Sequence, residues 1–364
     1  MSIDTRLAAA RGRLAELGLD VLLVTQPENR RYLSGFRARD ASINSSAGWL
    51  LVGSGQPRLV TSFLWLEAAR AQAADAEVVR ASVRALDTVA ELLGQRPRGR
   101  VGIESDWLTV EQHTELAARL QGKQDLVSTA GVVADLRQVK GQDELAAITR
   151  AVEVTDAAFG EVMSRIRPGM TERQVAWDLE KAMRERGAEG MAFEPAVASG
   201  PNSAVPHHSS SDRPLGESEP IWIDMGARVD GYCGDLTRTF CLGRADARFQ
   251  EVFDLVLRAQ SAGIQGIRPG LSGKEADALA RDLIAAAGHG DDFGHSLGHG
   301  IGLAVHEGPR LSRLSADLLR PGMVTSVEPG VYITGWGGVR TEDLGVVTPE
   351  GFVVLSRAGK QFVY

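Results

Sequence analysis

The chain has 364 residues, 43% of them hydrophobic, and 40 Lys and Arg against 47 Asp and Glu give a net charge of −7. That length exceeds one comfortable core and suits two domains, and the hydrophobic content excludes a disordered chain. No Lys/Arg-rich tract offers a surface to nucleic acid or to an anionic membrane, and no apolar run reaches the roughly 18–20 residues of a membrane span.

The opening MSIDTRLAAARGRLAELG reads as an amphipathic helix rather than a charged segment ahead of an apolar one. No secretory signal is read there, and a cytoplasmic setting is expected. Asp20–Thr25, Gly48–Val52 and Pro57–Thr61 read as strands, and Arg6–Leu17, Leu64–Ala73 and Val110–Leu120 as helices. Such alternation predicts an α/β layered domain over residues 1–130. Within it, Asn29–Phe36 carries a Ser-Gly turn signal after an aromatic.

A second domain is expected over residues 131–364, opening with a long helix from about Asp143 to Arg165. Leu145, Ile148, Val152, Phe159, Val162 and Ile166 recur there at three- and four-residue steps. This part of the chain repeats itself. IRPGMTERQV at Ile166–Val175 and IRPGLSGKEA at Ile267–Ala276 lie 101 residues apart. In each, Thr171 or Ser272 precedes Gln174 or Glu275 by three residues, the spacing of a capping box. Gly187 and Gly288 end the helix that follows in each copy.

Six of the seven histidines lie between His207 and His306, and several stand among glycines in Gly294–Pro309. Glycine allows close backbone approach, and imidazole serves as metal ligand or proton carrier. Carboxylates also stand inside apolar strands. Asp224 in IWIDMG and Asp235 in GDLTRTF flank an Asp-Gly turn, and Glu328 in VTSVEPG and Glu342 in VRTEDLGV flank a Gly-Gly turn. Each half thus reads as a hairpin with one acid on each arm, the acids recurring at offsets of 104 and 107 residues. Such acids are costly unless paired or metal-bound; Arg238 and Arg340 could supply ion pairs. Four carboxylates and one imidazole suit two adjacent divalent ions, with two of the acids bridging, and hard oxygen ligands favour Mn²⁺ over Co²⁺ or Zn²⁺. Two such ions support metal-assisted hydrolysis.

The order Asp224, Asp235, His299, Glu328, Glu342 resembles the pita-bread metallopeptidases, a superfamily of methionine aminopeptidases, aminopeptidase P, prolidase and the metal-free creatinases. FEPAVASGPNSAVPHH at Phe193–His208, the His295/His299/His306 block and VRTED at Val339–Asp343 resemble its proline-specific branch. Residues 1–130, with YLSGF at Tyr32–Phe36, resemble the creatinase-type N-terminal domain. The fold implied is α/β (α+β), with a pseudo-twofold pita-bread domain behind that smaller one. Methionine aminopeptidases usually lack such a domain and the Pro-His-His element.

The resemblance implies that Asp224 chelates one ion, that Asp235 and Glu342 bridge both, and that His299 and Glu328 complete the second. Glu328 would also carry the proton from water to the leaving nitrogen. His207 and His306 would contact the scissile peptide, His295 would line the pocket for proline, and Arg340 would orient the acids or meet a substrate carboxylate. The reaction implied is cleavage of an Xaa-Pro bond in short peptides, as a prolidase or alternatively an aminopeptidase P, by a homodimer or larger homo-oligomer. Creatinase-like hydrolysis and a non-catalytic binding module are the remaining readings, each weakened by the presence of all five ligands. His113, His208 and His289 read as ordinary histidines, Cys233 as packing, and Glu217–Glu219 as a solvated loop; Trp222 and Trp336 could border the site.

Overall fold

The computed structural model describes residues 2–40 and 42–363. These residues form two compact units, one running to Arg137 and the other from Gln138.

In the first unit the strands are β1 (Val21–Val24), β2 (Gly48–Gly53), β3 (Arg58–Thr61), β4 (Glu77–Arg80), β5 (Arg100–Glu104) and β6 (Asp125–Thr129). They lie in the order β4-β3-β2-β1-β5-β6. The sheet is mixed, because β1 runs antiparallel to β2 and parallel to β5. The helices are α1 (Ile3–Glu16), α2 (Pro27–Ser34), α3 (Leu66–Gln72), α4 (Ala85–Gly94), α5 (Val110–Leu120) and α6 (Ala134–Gln138). Leu86, Val89 and Leu93 of α4 and Leu116 and Leu120 of α5 pack on Val21, Leu23, Trp49 and Val101 of the sheet. The three expected strands and three expected helices are present; the Ser-Gly signal marks the end of α2. The division between units falls after Arg137 rather than at 130–131. Arg137 Nη1 donates to Asn29 Oδ1 at 2.8 Å and to Gln26 Oε1 at 3.2 Å, which ties the segment around α6 to the first unit.

The second unit is two copies of one pattern. In the first half, α7 (Gln142–Met163) and α8 (Glu172–Glu185) cover β7 (Gly190–Met191), β8 (Ala196–Ser199), β9 (Ile221–Met225), β10 (Ala227–Val229), β11 (Tyr232–Cys233) and β12 (Leu236–Phe240). In the second, α9 (Ala247–Gly266) and α10 (Gly273–Ala286) accompany β13 (Gly298–Gly300), β14 (Glu307–Leu311), β15 (Val324–Val327), β16 (Gly330–Ile333), β17 (Gly337–Arg340), β18 (Asp343–Thr348) and β19 (Gly351–Val354). Both expected capping boxes form, at Thr171–Gln174 and at Ser272–Glu275. The surrounding hydrogen bonds repeat as well. Gly169 N reaches Leu215 O and Gly270 N reaches Leu319 O, while Glu172 N reaches Arg213 O and Gly273 N reaches Asp317 O.

Phe159, Val162, Leu179 and Met183 pack with Ile221, Ile223 and Phe240 in the first half. Phe249, Phe253, Val256 and Ile284 pack with Leu311, Val327 and Val347 in the second. Each such side chain contributes on the order of 1.5–3 kcal/mol on burial. Strands β9 and β12 pack on the first of these cores and β15 on the second, and these are the strands that lead into the site.

Candidate metal centre and active site

The hairpin expected in each half is a nested one. β9 pairs with β12, placing Thr237 opposite Asp224, while β10 and β11 between them pair with each other and join β7 in a separate sheet. In the second half β15 pairs with β18, and β16 with β17, in the same arrangement. Asp224 therefore lies within an outer strand, whereas Asp235, Glu328 and Glu342 lie at the breaks where the chain passes between outer pair and inner hairpin. The expectation of acids on the two arms of one simple hairpin is corrected accordingly. A break frees the backbone from the ladder and lets successive acids turn to one side.

His299 comes from β13. A Cβ on Gly298 would lie 2.1 Å from Ser326 O, and one on Gly300 2.0 Å from Gly308 O. Only glycine permits these approaches on either side of the imidazole.

These elements bring all five residues together around one cavity. His299 Nε2 is 3.3 Å from Glu328 Oε1 and 3.6 Å from Asp235 Oδ2. Asp235, His299 and Glu342 are buried, and each offers a ligand atom within 4.8 Å of the others. His299 Nδ1 donates to Gly300 O at 3.1 Å, which orients the ring with Nε2 toward the acids. Thr237 Oγ1 donates to Glu342 Oε2, and Ser326 Oγ to Glu328 Oε1. Arg340 Nη2 donates to Asp224 Oδ2 at 2.7 Å.

The donor set fits divalent cations. Asp224 Oδ1 and Glu342 Oε1 are buried without a hydrogen-bond partner, an expensive state for a carboxylate oxygen unless a ligand approaches it. Burial, and then the neighbouring carboxylates, push Asp235 and Glu342 well above the usual carboxylate range. Glu328 goes the other way, down to about 2: burial opposes its ionisation, but the hydrogen bond from His299 and the nearby positive charges outweigh it. Four acids against Arg340 and His299 leave the cluster short of positive charge, and divalent ions would supply it.

The cavity above the acids measures about 460 Å³ and is lined also by Phe193, Pro206, His207, His295, His306, Arg310 and Arg340. The expected substrate-side residues therefore all face it. The His306 ring lies edge-on to His299, with centroids 4.2 Å apart. His295 Nδ1 donates to Ser296 O, so its Nε2 accepts from the Tyr332 hydroxyl at 3.1 Å. Tyr332 in turn accepts from Arg340 Nη1 at 2.8 Å, and burial pushes its hydroxyl up to about 12. Arg340 is thus committed to Asp224, Tyr332 and, through Nε, Thr237. Of its two expected roles, orienting the acids is the one its geometry serves.

Nothing in the sequence singles out Tyr332 or Arg310. Tyr332 follows a Pro-Gly and reads as an ordinary strand residue, and Arg310 stands on β14 like any exposed arginine. Trp222 is fully buried beneath the site, its ring 4.8 Å from the Arg340 guanidinium, while Trp336 stacks with Arg248 instead. His289 pairs with Asp292, His113 lies on α5 of the other unit, and Cys233 is buried. Of the expected solvated loop, Glu217 and Ser218 are exposed, but Glu219 pairs with Arg213 at 2.6 Å.

Fold and site together define a metal-dependent hydrolase with two related half-domains. Residues 146–349 match metallopeptidase family M24, and residues 6–139 match the creatinase/prolidase N-terminal domain. The chain belongs to metallopeptidase family M24, and its second unit has the pita-bread fold. It is 32% identical over 350 residues to the Xaa-Pro dipeptidase of Pyrococcus furiosus, covering 96% of each chain. The structure of an Xaa-Pro dipeptidase from Bacillus anthracis superimposes with a TM-score of 0.93 at 36% identity, over 100% of both chains. That of an X-Pro aminopeptidase from Thermotoga maritima gives 0.85 at 33% identity, over 97% of this chain and 100% of the other.

Proposed function

We propose that the protein is an Xaa-Pro dipeptidase holding two divalent ions, Mn²⁺ first among them, on Asp224, Asp235, His299, Glu328 and Glu342. The observation that carries this reading is the convergence of four carboxylates and an imidazole on one cavity, with two buried carboxylate oxygens left without a donor. Ions held there would supply Lewis acidity and an activated water at neutral pH.

The chain's own residues do the rest. Glu328, whose Oε1 accepts from Ser326 Oγ, takes up a proton from water and hands it to the leaving nitrogen. His207 and His306 donate to the oxygen of the scissile carbonyl as charge develops on it. His295, oriented through Tyr332, presents its ring to the proline. The nitrogen of an Xaa-Pro bond carries no hydrogen, so a site that does not bond to that N–H loses nothing on this substrate. Arg310, an exposed cation lining the cavity, supports dipeptide over longer substrates, since it could pair with the free carboxylate that follows the proline in a dipeptide.

Aminopeptidase P is the second reading, favoured by the likeness to the Thermotoga structure. Both carry a cytoplasmic setting, in keeping with two buried, unbridged cysteines, and a homo-oligomeric assembly on family resemblance. Among the described residues no helix is long and apolar enough to cross a membrane. The test is turnover of an Xaa-Pro dipeptide by the Mn²⁺-loaded protein beside Glu328→Gln. Turnover that Glu328→Gln abolishes while retaining its fold is expected; no turnover by the wild-type protein overturns the reading.

A further inference from the structure

Glu172 opens α8, where an acid favours the helix N-terminus, and nothing in its sequence context distinguishes it from an ordinary first-turn glutamate. In the structure its side chain is fully buried and acts as a hub. Oε1 accepts from Ser199 N at 2.8 Å, Ser199 Oγ at 2.8 Å and Asn202 Nδ2 at 3.0 Å. Oε2 accepts from His208 Nε2 at 2.8 Å, Ser211 N at 3.0 Å and Ser211 Oγ at 2.6 Å. These donors lie at both ends and along the length of one loop, residues 199–211. Between Asn202 and His208 that loop delivers Pro206 and His207 to the cavity, and from the cavity side Arg340 Nη1 holds Pro206 O at 3.2 Å.

The internal repeat shows that the fold does not itself require this carboxylate. The equivalent position in the second half is Gly273, matched to Glu172 through the paired hydrogen bonds to Arg213 O and Asp317 O. There a Cβ would lie 2.0 Å from Arg310 O, so no side chain fits. The second half grips its own histidine loop by other means: Asp277 accepts from Leu297 N, and its partner Arg281 donates to Phe293 O and His295 O. Two halves of one architecture thus each have a buried charged device on the second helix, built from different residues and directed at the loop that brings a histidine to the cavity.

We infer that Glu172 is a positioning residue: its ionised carboxylate latches the 199–211 loop so that His207 faces the metal-binding acids. After the single 3-10 turn of Gly200–Ala204 the loop is irregular and half-exposed, and six donors on one carboxylate replace the backbone ladder it lacks. Misplacing a reacting group by about 1 Å costs on the order of 100-fold in rate.

The inference rests on the reading of His207 as a substrate-facing group, so the test separates the two. kcat/KM on an Xaa-Pro dipeptide is measured for the Mn²⁺-loaded wild-type protein, His207→Ala, Glu172→Gln and the double variant, with Mn²⁺ content and amide hydrogen exchange alongside. His207→Ala and Glu172→Gln are each expected to lower kcat/KM, the latter by roughly 100-fold. The double variant should fall within about twofold of His207→Ala. Mn²⁺ content should be unchanged, and exchange should accelerate in residues 199–211 but not in 221–225 or 324–327. Additive losses, or unaltered exchange in 199–211, overturn the positioning role. Wild-type turnover by His207→Ala overturns the reading of His207 and, with it, this role of Glu172. Should Glu172→Gln not fold, Asn202→Ala takes its place, since it removes one donor and leaves the others. A loss of about 10-fold that vanishes in the His207→Ala background is then expected, and an equal loss in that background overturns the inference.

Discussion

Arg340 Nη2 donates to Asp224 Oδ2 at 2.7 Å, and the same guanidinium, stacked over the Trp222 ring, reaches the Tyr332 hydroxyl. Asp224 lies among three other carboxylates and burial pushes it above the usual carboxylate range; Arg340 supplies fixed positive charge that opposes that rise and aims the side chain. Truncating one partner of such a buried pair costs about 3–5 kcal/mol, because the other charge is left uncompensated. Arg340→Met should therefore lower the urea midpoint markedly and weaken Mn²⁺ binding by calorimetry. Arg340→Lys, which keeps the charge without the planar fork, should recover part of the first loss and less of the second. An unaltered midpoint in Arg340→Met would contradict this role of Arg340 toward Asp224.

Asp235 and Glu342 should behave in the opposite sense. Burial and mutual repulsion make their charges unfavourable in the metal-free protein, so Asp235→Asn and Glu342→Gln should leave its Tm unchanged or raised. Mn²⁺ at about 100 times its Kd stabilises a native state by about 2.7 kcal/mol, and both variants should lose that increment. A metal-free Tm that drops sharply in either variant would show that the carboxylate has a structural partner instead.

The latch carries its own pH signature. Burial opposes the ionisation of Glu172, but the hydrogen bonds from Ser211, His208, Ser199 and Asn202 outweigh it and draw the group from 4.5 to about 2. A carboxylate depressed on folding contributes stability that is fully present above the unfolded value and is lost as pH falls through the folded one. The stability gap between wild type and Glu172→Gln should be widest near neutrality and narrow by about 2 kcal/mol between pH 7 and pH 3. Denaturant titrations at those two pH values measure it, and a gap that stays constant would mean that Glu172 is not ionised in the fold.

On the proposed reading, Arg310 separates substrates by length. A hydrogen bond from a guanidinium to a substrate carboxylate contributes about 1.5–3 kcal/mol. Arg310→Met should therefore raise KM for an Xaa-Pro dipeptide by roughly 10–100-fold while changing tripeptide kinetics little. Equal losses on both substrates would assign Arg310 to the cavity wall rather than to the carboxylate.

Much of this arrangement is legible in the sequence. Acids inside apolar strands, doubled at a near-constant offset, mark the cluster, because an unpaired buried carboxylate is too costly to be incidental. Capping boxes mark the repeat. What escapes is set by long-range register. Local pattern shows a turn between Asp224 and Asp235, but not that the inner strands leave for another sheet and put Asp235 at a break. Glu172 escapes because its partners lie 27–39 residues away, while its local context is that of any helix N-terminus. Tyr332 and Arg310 escape because a strand residue's facing depends on where the strand lies. The end of the first unit is displaced by Arg137, whose partners Asn29 and Gln26 lie more than 100 residues earlier.

The most direct test of a dinuclear Xaa-Pro dipeptidase is the ratio of kcat/KM for an Xaa-Pro dipeptide to that for the matching Xaa-Pro-Xaa tripeptide, taken on protein whose Mn²⁺ content has been counted. Two ions per chain and a ratio well above one are expected. A ratio well below one would make the protein an aminopeptidase P, and full turnover with no bound ion would contradict the metal centre itself.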